Sequence, residues 1–88
     1  MLAMTPTAGE FLYAVLERAQ APAEAAIRLE IDGETLTSRI DQPRPGDTTL
    51  AHEDRNVLLL DERVAELLDG ITLDVQPGEQ GSSLVLVH

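Results

Sequence analysis

The sequence predicts a small α+β domain: two helices on a mostly antiparallel sheet that is strongly bent or split into two layers. Three observations carry that expectation. Residues 5–20 show a helical apolar period. Residues 27–41 alternate apolar and polar side chains about Asp32-Gly33, a strong hairpin signal. Residues 56–74 read as strand, short helix, strand. The full order is helix, hairpin, weak strand, strand, helix, strand, strand, and a chain of 88 residues holds it as one domain, 1–88.

The first helix opens at Thr5 or Thr7, either of which can cap it, with Pro6 in a first turn that needs no backbone donor. Thr7-Ala8-Gly9-Glu10 has capping-box spacing. Phe11, Leu12, Val15, Leu16 and Ala19 form the apolar face. Gly9 weakens the start by about 1 kcal/mol relative to alanine. Pro22 stops the helix near Ala21. In the hairpin, Ile27, Leu29 and Ile31 share one face, with Arg28, Glu30 and Asp32 opposite. On the return strand Leu36, Ser38 and Ile40 face inward, where Ser38 requires a local bond or an edge position.

Gln42 to Asp47, with two prolines and a glycine, is a loop. Thr48 to Leu50, extending toward His52, is a weak strand, and Glu53 to Asn56 is a polar turn. Val57 to Leu60 is an unbroken apolar run of buried-strand length. Asp61 caps the second helix, and Val64, Leu67 and Leu68 give it an apolar stripe. Gly70 closes it. Ile71, Leu73 and Val75 then alternate with Thr72, Asp74 and Gln76. After the turn at Pro77 to Gly81, Ser82 to Val87 is apolar on both faces, which predicts an interior strand or one covered by a partner chain.

Composition narrows the function. Sixteen acidic and six basic residues give a formal charge of −10, which disfavours nucleic acid and anionic membrane surfaces. The excess negative charge reads first as solubility. There is no cysteine, so disulfides, a thiolate nucleophile and thiolate-held zinc or iron–sulfur clusters are excluded. Met1-Leu2-Ala3-Met4 has neither the basic nor the apolar part of a signal peptide, no apolar run spans a membrane, and a cytoplasmic location is expected. A core with one Phe, one Tyr and no Trp must be aliphatic, and oligomerisation is a common remedy for so small a core.

No constellation announces a chemistry. His52 and His88 are the only imidazoles, and both read as solvated. Asp61, Glu62 and Glu66, with Asp69 and Asp74 nearby, would suit a weak hard-cation site, but a cap and a solvated helix face explain them. Glu30, Asp32, Glu34 and Asp41 gather about the hairpin and read as outward positions. Ser82 and Ser83 follow Gly81 without the spacing of a nucleophile elbow or a phosphate loop. A small hydrolase or isomerase would need a pocket that nothing here marks. We therefore assign no catalytic, cofactor-binding or metal-ligating residue.

Several stretches together resemble the HesB/IscA-like family of A-type iron–sulfur cluster carriers. They are Pro45-Gly46-Asp47-Thr48-Thr49-Leu50, Asn56-Val57-Leu58-Leu59-Leu60-Asp61 and Leu67-Leu68-Asp69-Gly70-Ile71-Thr72-Leu73-Asp74. The helix opening Thr5-Pro6-Thr7-Ala8, the strand Ile27-Arg28-Leu29-Glu30 and the run Gly81-Ser82-Ser83-Leu84 fit the same order. The resemblance implies the family's fold, a tendency to self-associate as a dimer, and a place in or near iron–sulfur assembly. The family's ligands are a cysteine in a Gly-rich loop after the first strand and a Cys-x-Cys tail. Here that loop is replaced by Asp32-Gly33-Glu34, and the sequence stops at His88. The expected function is thus a non-enzymatic, cysteine-less relative acting through protein contacts, without a cofactor. The alternative is a carrier of iron or another divalent metal on carboxylates and His52 or His88.

Overall fold

The computed structural model of the protein describes residues 1–88. Its elements are β1 (Ala3–Met4), α1 (Pro6–Arg18), β2 (Ala26–Asp32), β3 (Thr35–Asp41), β4 (Thr48–His52), β5 (Arg55–Leu60), α2 (Glu62–Leu67), β6 (Thr72–Gln76) and β7 (Ser83–Val87). The strands form two sheets, one ordered β3-β2-β5-β4 and the other β1-β6-β7. Pairing is antiparallel for β2–β3, β4–β5 and β6–β7, and parallel for β2–β5 and β1–β6. This is the two-layered α+β architecture that the sequence predicts.

Local chemistry sets most boundaries. Thr5 is the cap of α1: its Oγ1 accepts from the Ala8 N–H at 3.1 Å, and the Thr7 alternative is not used. Asp61 caps α2 by accepting from the Val64 N–H at 2.8 Å. Gly33, at φ 64, opens the turn between β2 and β3. The β4–β5 turn is tighter than expected. Arg55 and Asn56 belong to β5, and only Glu53 and Asp54 lie between the strands, with Glu53 at φ 58. A glutamate in that left-handed conformation gives no turn signal of the glycine kind, so the sequence reads as a wider loop.

The core lies between α1 and the two sheets. Ala8, Leu12 and Leu16 of α1 meet Ile27, Leu29, Leu58 and Leu60 of the larger sheet and Leu73 of the smaller. Val64 and Leu68 cover the same core from α2. Leu67 does not: it is 52% exposed. Helical geometry explains this. Val64, Leu68 and half-buried Ala65 subtend one narrow arc, and Leu67 falls beyond its edge in so short a helix.

β7 is not interior, contrary to the first of the two expectations for it: it is the outermost strand of its sheet, with Val87 47% exposed. Of the β3 residues expected to face inward only Leu36 is half-buried; Ser38 and Ile40 are exposed, because β3 is an edge strand. β1 has no sequence signature, because two residues are too few to show a period. Ala3 N–H donates to the Ile71 carbonyl, just before β6, at 2.9 Å, and Thr5 N–H, just after β1, to that of Leu73 at 3.0 Å.

Candidate functional site

The most heavily charged construction in the molecule is buried, and the sequence places it outside. Arg28 lies on β2 and is 2% exposed. Its Nε donates to Asp41 at 2.7 Å; Nη1 and Nη2 donate to the two oxygens of Asp47 at 3.0 and 2.7 Å; Nη2 also donates to the Gln42 carbonyl at 3.2 Å. Asp47 is bound again by the Arg44 N–H at 2.7 Å. The topology supplies the reason. β3 and β4 are opposite edges of one sheet, so the 42–47 loop must cross β2 and β5. At ~4.8 Å per strand that is a span of about 14 Å. Arg28, projecting from β2, fastens both ends of the crossing.

The electrostatics follow from the geometry. The hydrogen bond to Asp47 raises the Arg28 pKa against the opposing effect of burial, so the guanidinium stays charged. Asp47 is held below the usual carboxylate range by its hydrogen bond to Arg28. Asp41 is held low by Arg28 first and by the Gln42 N–H second. Arg44 Nη2 also donates to Asp41 at 3.0 Å, so two guanidiniums face two carboxylates, and with Arg28 bonded through Nε, Nη1 and Nη2 the cluster fits a structural clasp better than a ligand site. Because the folded-state pKa values of both carboxylates are depressed, their contribution is full above the ordinary aspartate value of about 3.9 and is lost as pH falls through the folded values. Urea midpoints measured from pH 7 to pH 3 should therefore fall below about pH 4 in the native protein, and fall less in Asp47→Asn, which starts lower at neutral pH.

His52 is also not solvated as expected. It is half-buried, with its ring edge-on to Tyr13 at a centroid distance of 6.2 Å and against the backbone of Gly9. A Cβ on residue 9 would stand 2.5 Å from His52 Nδ1 and 2.8 Å from Cγ. Gly9 is therefore a seat for His52 more than a flaw in the helix. In the native background Gly9→Ala should destabilise by about 1–3 kcal/mol through overpacking. In a His52→Ala background the same change should stabilise by about 1 kcal/mol, the ordinary helix gain of alanine over glycine. Thermal unfolding of the four proteins of that cycle checks the reversal of sign.

The remaining candidates disperse. His88 lies outside any strand. Asp61 is engaged as a cap, and Asp69 pairs with the terminal ammonium of Met1. Asp74 accepts from the Val75 N–H and the Thr5 hydroxyl, both at 2.8 Å, which lower its pKa in that order. Glu30 pairs with Arg39 at 2.9 Å on the exposed side of the hairpin. Glu62 and Glu66 stay on the exposed face of α2. No three His, Asp or Glu side chains converge in a way that could hold a metal ion. Ser82 and Ser83 border a groove of about 310 Å³ between β3 and β7. Its walls are Phe11, Leu29, Leu36 and Leu84, its rim bears the hydroxyls of Thr37 and Ser38, and none of its residues titrates as an acid or base near neutrality.

Arg55 joins two elements. Its Nη2 donates to the Pro22 carbonyl at 2.8 Å and to those of Ala21 and Ala25 at 3.4 Å, satisfying acceptors where the chain leaves α1 for β2. No helix is long and apolar enough to cross a membrane.

Comparison with protein-family models and with curated proteins gives no match. Comparison with solved structures does. Escherichia coli SufA, described as involved in biosynthesis of iron–sulfur clusters, superposes with a TM-score of 0.74 at 18% identity, over 97% of this chain and 82% of SufA. IscA with the [2Fe-2S] cluster superposes with a TM-score of 0.69 at 18% identity, over 98% of this chain and 83% of IscA. Almost every residue of this chain thus lies within an architecture shared with two proteins of iron–sulfur chemistry, and the HesB/IscA-like fold implied by the sequence resemblance is the fold that this chain adopts.

Proposed function

We propose that this chain is a non-enzymatic interaction module on an iron–sulfur-carrier fold, acting through protein contacts, with self-association as a dimer first among them. The observation that supports this reading is the β2–β3 connection. Gly33 and Glu34 alone separate the two strands, which leaves no room for a ligand-bearing loop, and the sequence supplies no thiolate elsewhere. The fold likeness to SufA and IscA supports a role in or near iron–sulfur assembly, one in which this chain contributes surface instead of ligands.

Carriage of a divalent metal on carboxylates and imidazoles has less behind it. Its candidate ligands are spread among a helix cap, an ion pair and a packed ring, and they share no centre within one chain. Metal and sulfide analysis of the purified protein, before and after anaerobic reconstitution, tests both readings. The expected result is no stoichiometric metal and no visible cluster band. Stoichiometric metal that is lost on His52→Ala or on Glu62→Gln/Glu66→Gln would overturn the proposal in favour of a carrier.

A further inference from the structure

We propose that two copies of this chain join through the free edge of β7, antiparallel and centred on Val85, to make one continuous sheet β1-β6-β7-β7-β6-β1. The inference rests on the self-association reading above and names its surface.

The direction of the β7 backbone follows from the hydrogen bonds of its neighbours. Ile71 and Leu73 turn their carbonyls toward β1, where Ala3 and Thr5 donate to them. Alternation therefore turns Thr72, Asp74 and Gln76 toward β7. Their partners in register are Val87, Val85 and Ser83, so these three residues spend their backbone groups on β6. Leu84 and Leu86 are left with N–H and C=O groups pointing off the sheet.

Unpaired edges are ordinarily blunted by shortness, charge, proline or a bulge. The other three edges of this molecule have such protection. β1 is two residues long, β4 has a register shift between Leu50 and Ala51, and β3 carries Arg39 between Ser38 and Ile40. β7 has none: its register against β6 is unbroken, and Ser82 to Val87 contains no charge and no proline.

The shape of the edge selects the same strand as its partner. Leu84-Val85-Leu86 reads identically in both directions. A two-fold axis at Val85 sets Leu84 opposite Leu86 of the second copy, and Leu86 opposite its Leu84, overlapping all five residues of each strand. Both leucines of β7 face inward, on the side of Leu73 and Val75. Those of the second copy would therefore enter the groove walled by Phe11, Leu36 and Leu84, which borders this edge and carries no charge. In a chain of net charge −10, an uncharged strip is where two copies can meet without repulsion. A basic partner would find no acidic lip there.

The chain has no cysteine, so a single introduced thiol reports unambiguously. Val85 would face its own copy at a non-hydrogen-bonded position, where Cα atoms lie about 4.5 Å apart, within disulfide reach. Sedimentation across the micromolar range is compared with mild oxidation of Val85→Cys and, as a control on an edge away from the groove, Thr49→Cys on β4. The expected results are a dimer, a covalent dimer from Val85→Cys but not from Thr49→Cys, and at least a ~10-fold weaker dimer in Val85→Lys, which opposes two like charges. Far-UV circular dichroism of the lysine variant confirms that it is folded, and the cysteine result stands independently if it is not. A dimer that persists in folded Val85→Lys, or that fails to cross-link through Val85→Cys, overturns the β7 pairing and leaves self-association standing. A monomer at every concentration overturns both.

Discussion

Arg28→Met is expected to cost about 3–5 kcal/mol, because it strands the Asp47 carboxylate, 4% exposed, without its counter-charge. A domain of this size has roughly 4–13 kcal/mol in total at the usual stability per residue. The variant should therefore be marginal or unfolded at 25 °C. Replacing both partners has a different outcome. Arg28→Met with Asp47→Leu removes the buried carboxylate as well as the cation, so the double variant should be more stable than Arg28→Met alone. Chemical denaturation of the single and double variants measures this. Equal stability of Arg28→Met and the native protein would mean that water reaches the clasp and that the 42–47 loop is held by something else.

The second large effect lies in β5. Val57, Leu58, Leu59 and Leu60 are each 0–1% exposed, since β5 is paired on both edges and covered on both faces. Leu58 stands beside Ile27 in the parallel register and Leu50 in the antiparallel one. Leu58→Ala should cost about 2–5 kcal/mol, the transfer of the lost methyl groups plus the cavity they leave. Leu67→Ala is the informative contrast. By apolar character alone the two leucines would be judged equally important. The half-exposed position of Leu67 predicts a change within about 0.5 kcal/mol. Paired urea titrations separate the two by an amount well outside measurement error.

The contrast between those leucines shows what kind of information the sequence held. Features written within a few residues were legible. Asp32-Gly33 specified the hairpin, Asp61 the cap of α2, and alternation at Ile71 to Gln76 both the strand β6 and its inward face. Features that depend on a distant segment were not. Alternation puts Arg28 opposite Ile27 and Leu29, but whether that second face meets water depends on a loop that returns to it with Asp47, 19 residues later. His52 looks like a turn residue until Gly9, in α1, is brought against it. The apolar character of β7 was plain, yet its place at the edge depends on whether any other strand returns to its far side, and none does. The candidate site fared the same way: the scattered ligands were visible as types, and their failure to converge is a property of the tertiary structure alone.

The pairing of β1 with β6 has a kinetic consequence. Ala3 meets Thr72 and Met4 meets Leu73, contacts that close every element from α1 to α2 into one loop. The hairpins β2–β3 and β4–β5 need only short loops and can form as soon as their residues exist. During synthesis the larger sheet is therefore complete in principle while the smaller lacks both β6 and β7. α1 must wait with one side of its apolar face uncovered. Zipping β1 onto β6 should be a late step on the folding pathway, so substitutions in β1 should speed unfolding while leaving the folding rate nearly unchanged.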